Sequence, residues 1–380
     1  MTTKDGYLLA KGARATTSVD VNAPEQICTA VKYLFELAQQ RPHEPGKTPV
    51  VFGAIPFAMD GKAQFILPRE SQHLSRQQLL QLLSRGSSTQ MLIPQSQSYK
   101  PEKAAYEDAV RQALHAFEAG ELEKVVLGKQ LHMGFTQEID QTLVLLNLLQ
   151  NSQRGYPFSL PLQEGTLLGV SPELLIRKQG TDVFTNPLAG SVKRQGQEKQ
   201  EAWQAQALFG SAKDRHEHQL VVADIVRLLK PLCRELNVPE QPSVLKTDSM
   251  LHLSTEISGQ LYQADLSSLD AALAIHPTPA VCGYPTHAAY EFIHQYEEDR
   301  GYFAGLVGWC DENGNGEWYI AIRSGMVKGN EITLFAGAGV VPGSEPEKEW
   351  QETDAKLGTM LKALMPDATA SQEIKHASQI

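Results

Sequence analysis

The spacing of apolar positions changes repeatedly along this chain. NAPEQICTAVKYLFELAQQ (22–40) has helical spacing, and VVFGAIPFAM (50–59) reads as an apolar strand after the Pro-rich turn RPHEPGKTP. QHLSRQQLLQLLSR (72–85) predicts another helix, followed by a polar Gln- and Ser-rich connection to about residue 99. YKPEKAAYEDAVRQALHAFEAGEL (99–122) is amphipathic at helical spacing and leads into KVVLGKQLHM (124–133), a strand with alternating faces. GTLLGVSPELLIRKQ and TDVFTNPLAGSVKR are rich in strands and turns, whereas DRHEHQLVVADIVRLLKPLCREL (214–236) predicts one long helix. SVLKTDSMLHLSTEISGQLY reads as strands, and AAYEFIHQYEEDR (288–300) as a helix. Three strand patterns follow in 301–339, with DENGNGE and KGNE as the hairpin turns. A last helix carries EPEKEWQETDAKLGTML, and residues 367–380 read as a frayed tail.

These elements lack a regular strand–helix–strand beat. The pattern predicts an α+β fold, one large domain over residues 1–366 with antiparallel sheets, rather than a doubly wound sheet. Neither an internal repeat nor a domain linker is visible.

Bulk properties narrow the function. Of 380 residues, 42% are hydrophobic and 21% charged, which suits a soluble globular chain with a sizeable core. A net charge of −10 argues against general affinity for nucleic acid or anionic membrane. The charge does not exclude an anionic small substrate, since one site can be locally positive. Cys28, Cys233, Cys282 and Cys310 form no CxxC pair, so they are expected as reduced thiols of a cytoplasmic protein. The first 17 residues have no uninterrupted apolar core, and no run of about 18 apolar residues exists to span a membrane.

The acidic helix raises the first chemical question. At ~100° per residue, Trp350, Thr353, Leu357, Met360, Leu361 and Leu364 share one face, which is the expected core face. Lys348, Gln351, Ala355 and Lys362 lie opposite. Glu349, Glu352 and Lys356 make a stripe at the shoulder, and Glu347 and Asp354 lie on the other shoulder. A solvated run of acids that favours the helix start remains open. So does a border of a cleft, where a hard divalent cation would relieve the like-charge pair Glu349 and Glu352.

Three further residues stand out. Glu217 aligns with Val221, Asp224 and Leu228, and a carboxylate on an apolar stripe should be paired, protonated or metal-bound. HEH does not extend to HExxH, because position 220 is Leu220, so zinc is disfavoured. Lys124 opens KVVLGKQ on the face of Val126 and Gly128. It can be an edge lysine whose stem covers apolar surface. Glu173 follows Ser-Pro in GVSPELLIRK and can be a turn carboxylate. A lysine with a lowered pKa and a glutamate with a raised one would instead make a base and acid pair.

Taken together, KVVLGKQ, GVSPELLIRK, PLAGSVKRQG, DRHEHQLVVADI, HPTPAVCGYP, GYFAGLVGWCD, AIRSG and FAGAGVVPGSEPEKEWQETDAKL resemble the chorismate-utilising enzymes. The resemblance runs in order from about residue 100 to 365. The first hundred residues match only loosely, mainly at FGAIPF. It implies one large domain of antiparallel sheets packed face to face, helices outside, and a deep cleft. It implies Mg²⁺ held by Glu217 and Glu352 with Glu349 beside them, directly or through water. It implies Lys356 on a substrate carboxylate, and Arg323 with the Gly337 backbone on the enolpyruvyl carboxylate. Gly190 and Ser191 would take the ring carboxylate, and Ala280 would touch the ring.

Within that family, members that add water carry a lysine at the position of Lys124. Members that use ammonia typically carry glutamine there, and aminodeoxychorismate synthases a PIKGT motif where this chain has PLAGS. The resemblance therefore implies chorismate as substrate and water as nucleophile, with Lys124 as base and Glu173 as acid. His252, in MLHLST, would help orient the leaving hydroxyl, and a core histidine stays open as its alternative. No amidotransferase subunit is expected, and the chain is read as a monomer. The resemblance is greatest to isochorismate synthases of siderophore biosynthesis. Salicylate synthase, which goes on to eliminate pyruvate, is the alternative, and a non-catalytic chorismate-binding subunit a second.

Overall fold

Two wide antiparallel sheets face each other, and a cavity lies where the chain crosses between them. The computed structural model describes residues 1–40, 48–58, 60–87, 92–152, 154–194, 198–247 and 250–366. Among them the strands form sheets of ten, seven and three, all with antiparallel pairing. The ten-stranded sheet mixes early and late chain. Gly6–Asp20, Lys62–Leu74 and Val50–Ile55 lie beside Leu306–Asp311, Gly316–Ile320 and Leu174–Gln179.

Period-two alternation explains the layering. In Val50–Ile55, Val50, Phe52 and Ala54 meet Phe158, Leu160 and Leu167 of the seven-stranded sheet. Val51 and Ile55 point the other way, into the cluster that contains Ile27, Val31 and Leu34 of the Pro24–Gln39 helix. In Gly316–Ile320, Tyr319 likewise joins the sheet–sheet cluster, and Trp318 and Ile320 join the other. The outer face of the seven-stranded sheet, with Leu131, Met133, Leu168 and Leu334, lies under the helices Gln141–Asn151 and Pro346–Leu364. Trp350, Thr353, Leu357, Met360, Leu361 and Leu364 are all buried, as the spacing predicts, and Glu345 and Glu347 are exposed. Each such aliphatic side chain contributes ~1.5–3 kcal/mol on burial.

The α+β, antiparallel expectation therefore holds, and several local readings change. Pro94–Lys100, expected as connection, is a strand paired with Lys124–Phe135. Its side chains are mostly exposed, so no apolar alternation marks it. The helix expected over 214–236 runs Ala212–Leu229 and is followed by the strand Cys233–Asn237. Pro231 lacks the N–H that the helix would use and disfavours helical geometry before it. The region 306–340 holds four strands rather than three. The Pro-rich turn at 41–47 and the tail 367–380 lie outside the described residues.

The fourth strand matters because the chain changes sheets there. Gly316–Ile320 belongs to the ten-stranded sheet and Ser324–Lys328 to the seven-stranded one, so Ala321–Arg323 is a crossing. A second crossing lies between Thr166–Ser171 and Leu174–Gln179, and it contains Glu173. The crossings are tied together: Ile320 N–H donates to the Glu173 carbonyl at 3.2 Å, and Val170 N–H to the Arg323 carbonyl at 3.1 Å.

Candidate active site

The cavity at these crossings encloses about 710 Å³, with open solvent at its mouth included. Val126, Gly337 and Gly339 come from the seven-stranded sheet, and Glu173 and Arg323 from the crossings. Gly190, Ser191 and His252 come from the three-stranded sheet, where Ser191 pairs with His252. Glu217 comes from the Ala212–Leu229 helix, Glu352 and Lys356 from Pro346–Leu364. Ala280, Val281, Phe303 and Phe335 form an apolar wall. The rings of Phe303 and Phe335 stack at 5.6 Å and 7°.

Lys124 and Glu349, both expected here, do not reach the cavity surface. Lys124 is fully buried on the inner side of its strand, one contact behind Glu217. It is not an edge lysine, since its strand is flanked by Gly283–Tyr284 and by Glu331–Val340. Its Nζ stands 2.9 Å from Oε1 of Glu217. The contact is a close ion pair with no room for water between the two groups. Burial works against ionisation of Glu217, but the Lys124 charge outweighs it and holds the carboxyl below its ordinary range.

Glu173 behaves in the opposite way. It is 3% exposed, and burial pushes its carboxyl up to about 8, against the opposing charge of Lys124. At neutral pH it is a carboxylic acid with a proton to give. A buried lysine whose charge acts on a buried, protonated glutamate makes Lys124 and Glu173 a base and acid candidate pair.

Four carboxylates converge from two helices on the same side. Lys356 Nζ is 2.7 Å from Oε1 of Glu352 and donates to the Gly337 carbonyl at 2.8 Å. Ser191 Oγ donates to Glu352 Oε1 at 3.4 Å. Lys213 Nζ is 3.4 Å from Oε1 of Glu349, which is buried and raised by desolvation and by the charge of Glu352. Asp214 is raised by burial first and also by Glu217 and Glu352. The sequence reading missed Asp214, although it lies three residues before Glu217 on the same helical face.

This donor set fits a hard divalent cation. Among the described residues no group of three or more His, Cys, Asp or Glu side chains is placed to hold a metal ion by itself. Mg²⁺ does not need one, because it usually takes one or two carboxylates and fills its sphere with water and substrate. Glu349 and Asp214 are raised first by burial and then by neighbouring carboxylates, and a cation would relieve that second cause. Zinc finds no such fit at HEH. His216 is exposed, and His218 Nε2 lies 2.7 Å from Thr255 Oγ1.

Two glycines make room for the acids. A Cβ at Gly339 would stand 2.4 Å from Glu217 Oε1 and 3.2 Å from Lys124 Cε. Gly190 has φ +72°, and its Cβ would meet Asp214 at 3.0 Å. Sequence reading singled out Gly337 of FAGAG and overlooked Gly339.

Opposite in sign is Arg323. It is 7% exposed, and among the described residues its guanidinium donates no hydrogen bond to protein. Burial lowers it to about 10, countered by Glu352. Its φ of +51° costs a non-glycine residue ~1–3 kcal/mol, a strain held by the tied crossings. A buried unpaired cation with a planar fork calls for a carboxylate from outside the chain. His252 is 6% exposed with Nε2 unpartnered, and burial with Arg323 and Lys356 holds it well below its ordinary pKa, so it is neutral.

Comparison with known proteins identifies the family. A family model described as chorismate binding enzyme matches residues 61–365. The chain is 39% identical to isochorismate synthase DhbC of Bacillus subtilis over 95% of this chain and 92% of that one. It is 40% identical to the vibriobactin-specific isochorismate synthase of Vibrio cholerae over 86% and 82%. Among solved structures, DhbC from Bacillus anthracis matches with a TM-score of 0.84 at 38% identity, over 94% of this chain and 93% of that one. The menaquinone-specific isochorismate synthase MenF from Escherichia coli matches at 0.74 and 26%, over 94% and 85%.

Proposed function

The chain belongs to the chorismate-binding enzyme family, and we propose that within it the chain is an isochorismate synthase. The substrate is chorismate, and the reaction adds a hydroxyl from water at C2 and loses the one at C4. What supports this reading most is the interacting pair of buried Lys124 and protonated Glu173 beside an unpaired Arg323.

Arg323 takes the enolpyruvyl carboxylate, with His252 and the Gly337 backbone close by. Gly190 and Ser191 receive the ring carboxylate, and Ala280 and Phe303 bound the ring. Glu217 and Glu352 would hold Mg²⁺, with Glu349 and Asp214 beside them; when bound, the ion supplies positive charge for the ring carboxylate. Lys124 is the proposed base: once neutral, and with the Glu217 carboxylate in front of it turned aside, it accepts a proton from water as the water oxygen bonds to C2. The double bonds shift from C1=C2 and C5=C6 to C1=C6 and C4=C5, and the C4–O bond breaks. Glu173 gives its proton to the departing hydroxyl, which leaves as water. One water enters and one leaves, so the net change is isomerisation. General acid and general base help are each worth about 10²–10⁴-fold.

The siderophore branch is favoured by the likeness, over 86% of this chain, to the vibriobactin-specific enzyme. No helix among the described residues is long and apolar enough to cross a membrane. The test is product analysis after incubating the protein with chorismate and Mg²⁺. Isochorismate without pyruvate is expected. Salicylate with pyruvate would make it a salicylate synthase, and unconsumed chorismate would leave a binding subunit.

A further inference from the structure

Behind the apolar wall lies a buried ion pair that the reaction scheme does not use. Arg300 Nε donates to Glu297 Oε2 at 2.7 Å and Nη2 to Oε1 at 2.7 Å, a two-pronged contact. The same guanidinium donates from Nη1 to the Val281 carbonyl at 2.9 Å and from Nη2 to the Val126 carbonyl at 2.6 Å. Glu297 Oε1 accepts from the Gly128 N–H at 2.7 Å. The two side chains are 3% and 5% exposed. The guanidinium carbon also lies 4.5 Å from the Phe57 ring centre and 5.6 Å from that of Phe303.

These contacts converge on the cavity. Val126, Val281 and Phe303 line it, and each is held by Arg300 through a carbonyl or a ring face. Gly128 lets the parts close up: its Cβ would stand 2.9 Å from Phe303 Cε1 and 3.0 Å from Glu297 Oε2. Glu297 and Arg300 sit in the turn between the Thr286–Tyr296 helix and the Leu306–Asp311 strand. One charged group thus fixes three walls from three parts of the chain. Burying an ion pair is a poor route to stability, since desolvation offsets most of the attraction. Its fully satisfied geometry is better matched to holding shape.

We propose that Arg300, clamped by Glu297, is a positioning residue that sets the spacing of Val126, Val281 and Phe303 around the substrate ring. It touches no reacting atom and acts through those three. The inference rests on chorismate as the ligand of this cavity. Arg300→Lys keeps the charge, but an ammonium cannot span two carbonyls and a carboxylate or lie flat over the rings.

The test compares wild-type protein, Arg300→Lys and Glu297→Gln by steady-state kinetics on chorismate, calorimetric binding of chorismate and thermal unfolding. Glu297→Gln retains an acceptor for the Gly128 N–H and serves if the lysine variant does not fold. Loss of ring contacts that act equally before and during reaction raises KM and spares kcat, so KM is expected to rise about 10-fold with kcat within about 3-fold. Unchanged KM with kcat falling only as the folded fraction falls would overturn the proposal and leave the pair a purely structural feature. Wild-type protein that binds chorismate without converting it would sink the isochorismate synthase reading, and the Kd ratio of variant to wild type would then judge the clamp. Wild-type protein that does not bind chorismate would overturn both.

Discussion

Lys124 and Glu217 meet at 2.9 Å, the lysine from a strand and the glutamate from a helix, both withdrawn from water. Each is the other's counter-charge, and Glu217 also borders the cavity. Removing the lysine therefore has two separable effects. Lys124→Met should lower turnover by about 10²–10⁴-fold. It should also leave Glu217 buried and unpaired, which costs about 3–5 kcal/mol. Mg²⁺ added to the variant should recover more thermal stability than it adds to wild type, because the cation replaces the lost charge. Equal Mg²⁺ shifts in the two proteins would contradict the shared-carboxylate arrangement.

Glu173 predicts the alkaline side of the pH profile. Burial raises its folded-state value from 4.5 to about 8. Between those values the folded protein holds a proton that the unfolded chain has lost, so this group's stabilisation is full below 4.5 and declines as pH rises to about 8. The acid is spent over the same upper range, so kcat/KM should fall as pH passes about 8. Glu173→Gln should lose about 10²–10⁴-fold in rate and also lose the alkaline decline in stability. A stability–pH curve that is the same in both proteins from pH 5 to 8 would exclude the raised carboxyl.

Gly339→Ala isolates the metal-holding role of Glu217. The added Cβ would stand 2.4 Å from Glu217 Oε1, so the carboxylate must move. The strand backbone there is ordinary for alanine, and the fold should persist. Mg²⁺ affinity by calorimetry should weaken by at least about 10-fold, roughly 1.4 kcal/mol. Wild-type affinity in a folded variant would argue that Glu217 is not a ligand.

Arg323→Lys tests the anion side. Lysine keeps the charge but loses the planar two-pronged donor, and it must occupy the same φ of +51°. KM for chorismate should rise by about 10-fold or more, matching ~1.4 kcal/mol of lost contact. A KM unchanged from wild type would remove Arg323 from the carboxylate site.

Much of the site was legible in the residues, for identifiable reasons. Glu217 and Glu352 break apolar or repelling stripes on helices whose period the sequence states openly. Asp214 obeys the same geometry but sits where an acid near a helix start needs no special explanation. The burial of Arg300 and Glu297 is invisible in the sequence, because EEDR is a polar run and nothing in AAYEFIHQYEEDR says that this end is buried. Pro94–Lys100 was missed because a strand exposed along its length carries no apolar signature.

By itself, the sequence determined the amphipathic faces, the antiparallel hairpins, the acidic stripe of Glu349, Glu352 and Lys356, and the family motifs in order. Those depend on periods of two and about 3.6 residues and on local turn chemistry. The tertiary structure decided which of these meet. It buried Lys124 behind Glu217 and set Glu173 and Arg323 at two of the points where the chain changes sheets. Charge state and pairing depend on desolvation and on neighbours far apart in sequence. That is why Glu173 can hold its proton and Glu217 can lose one within the same cavity.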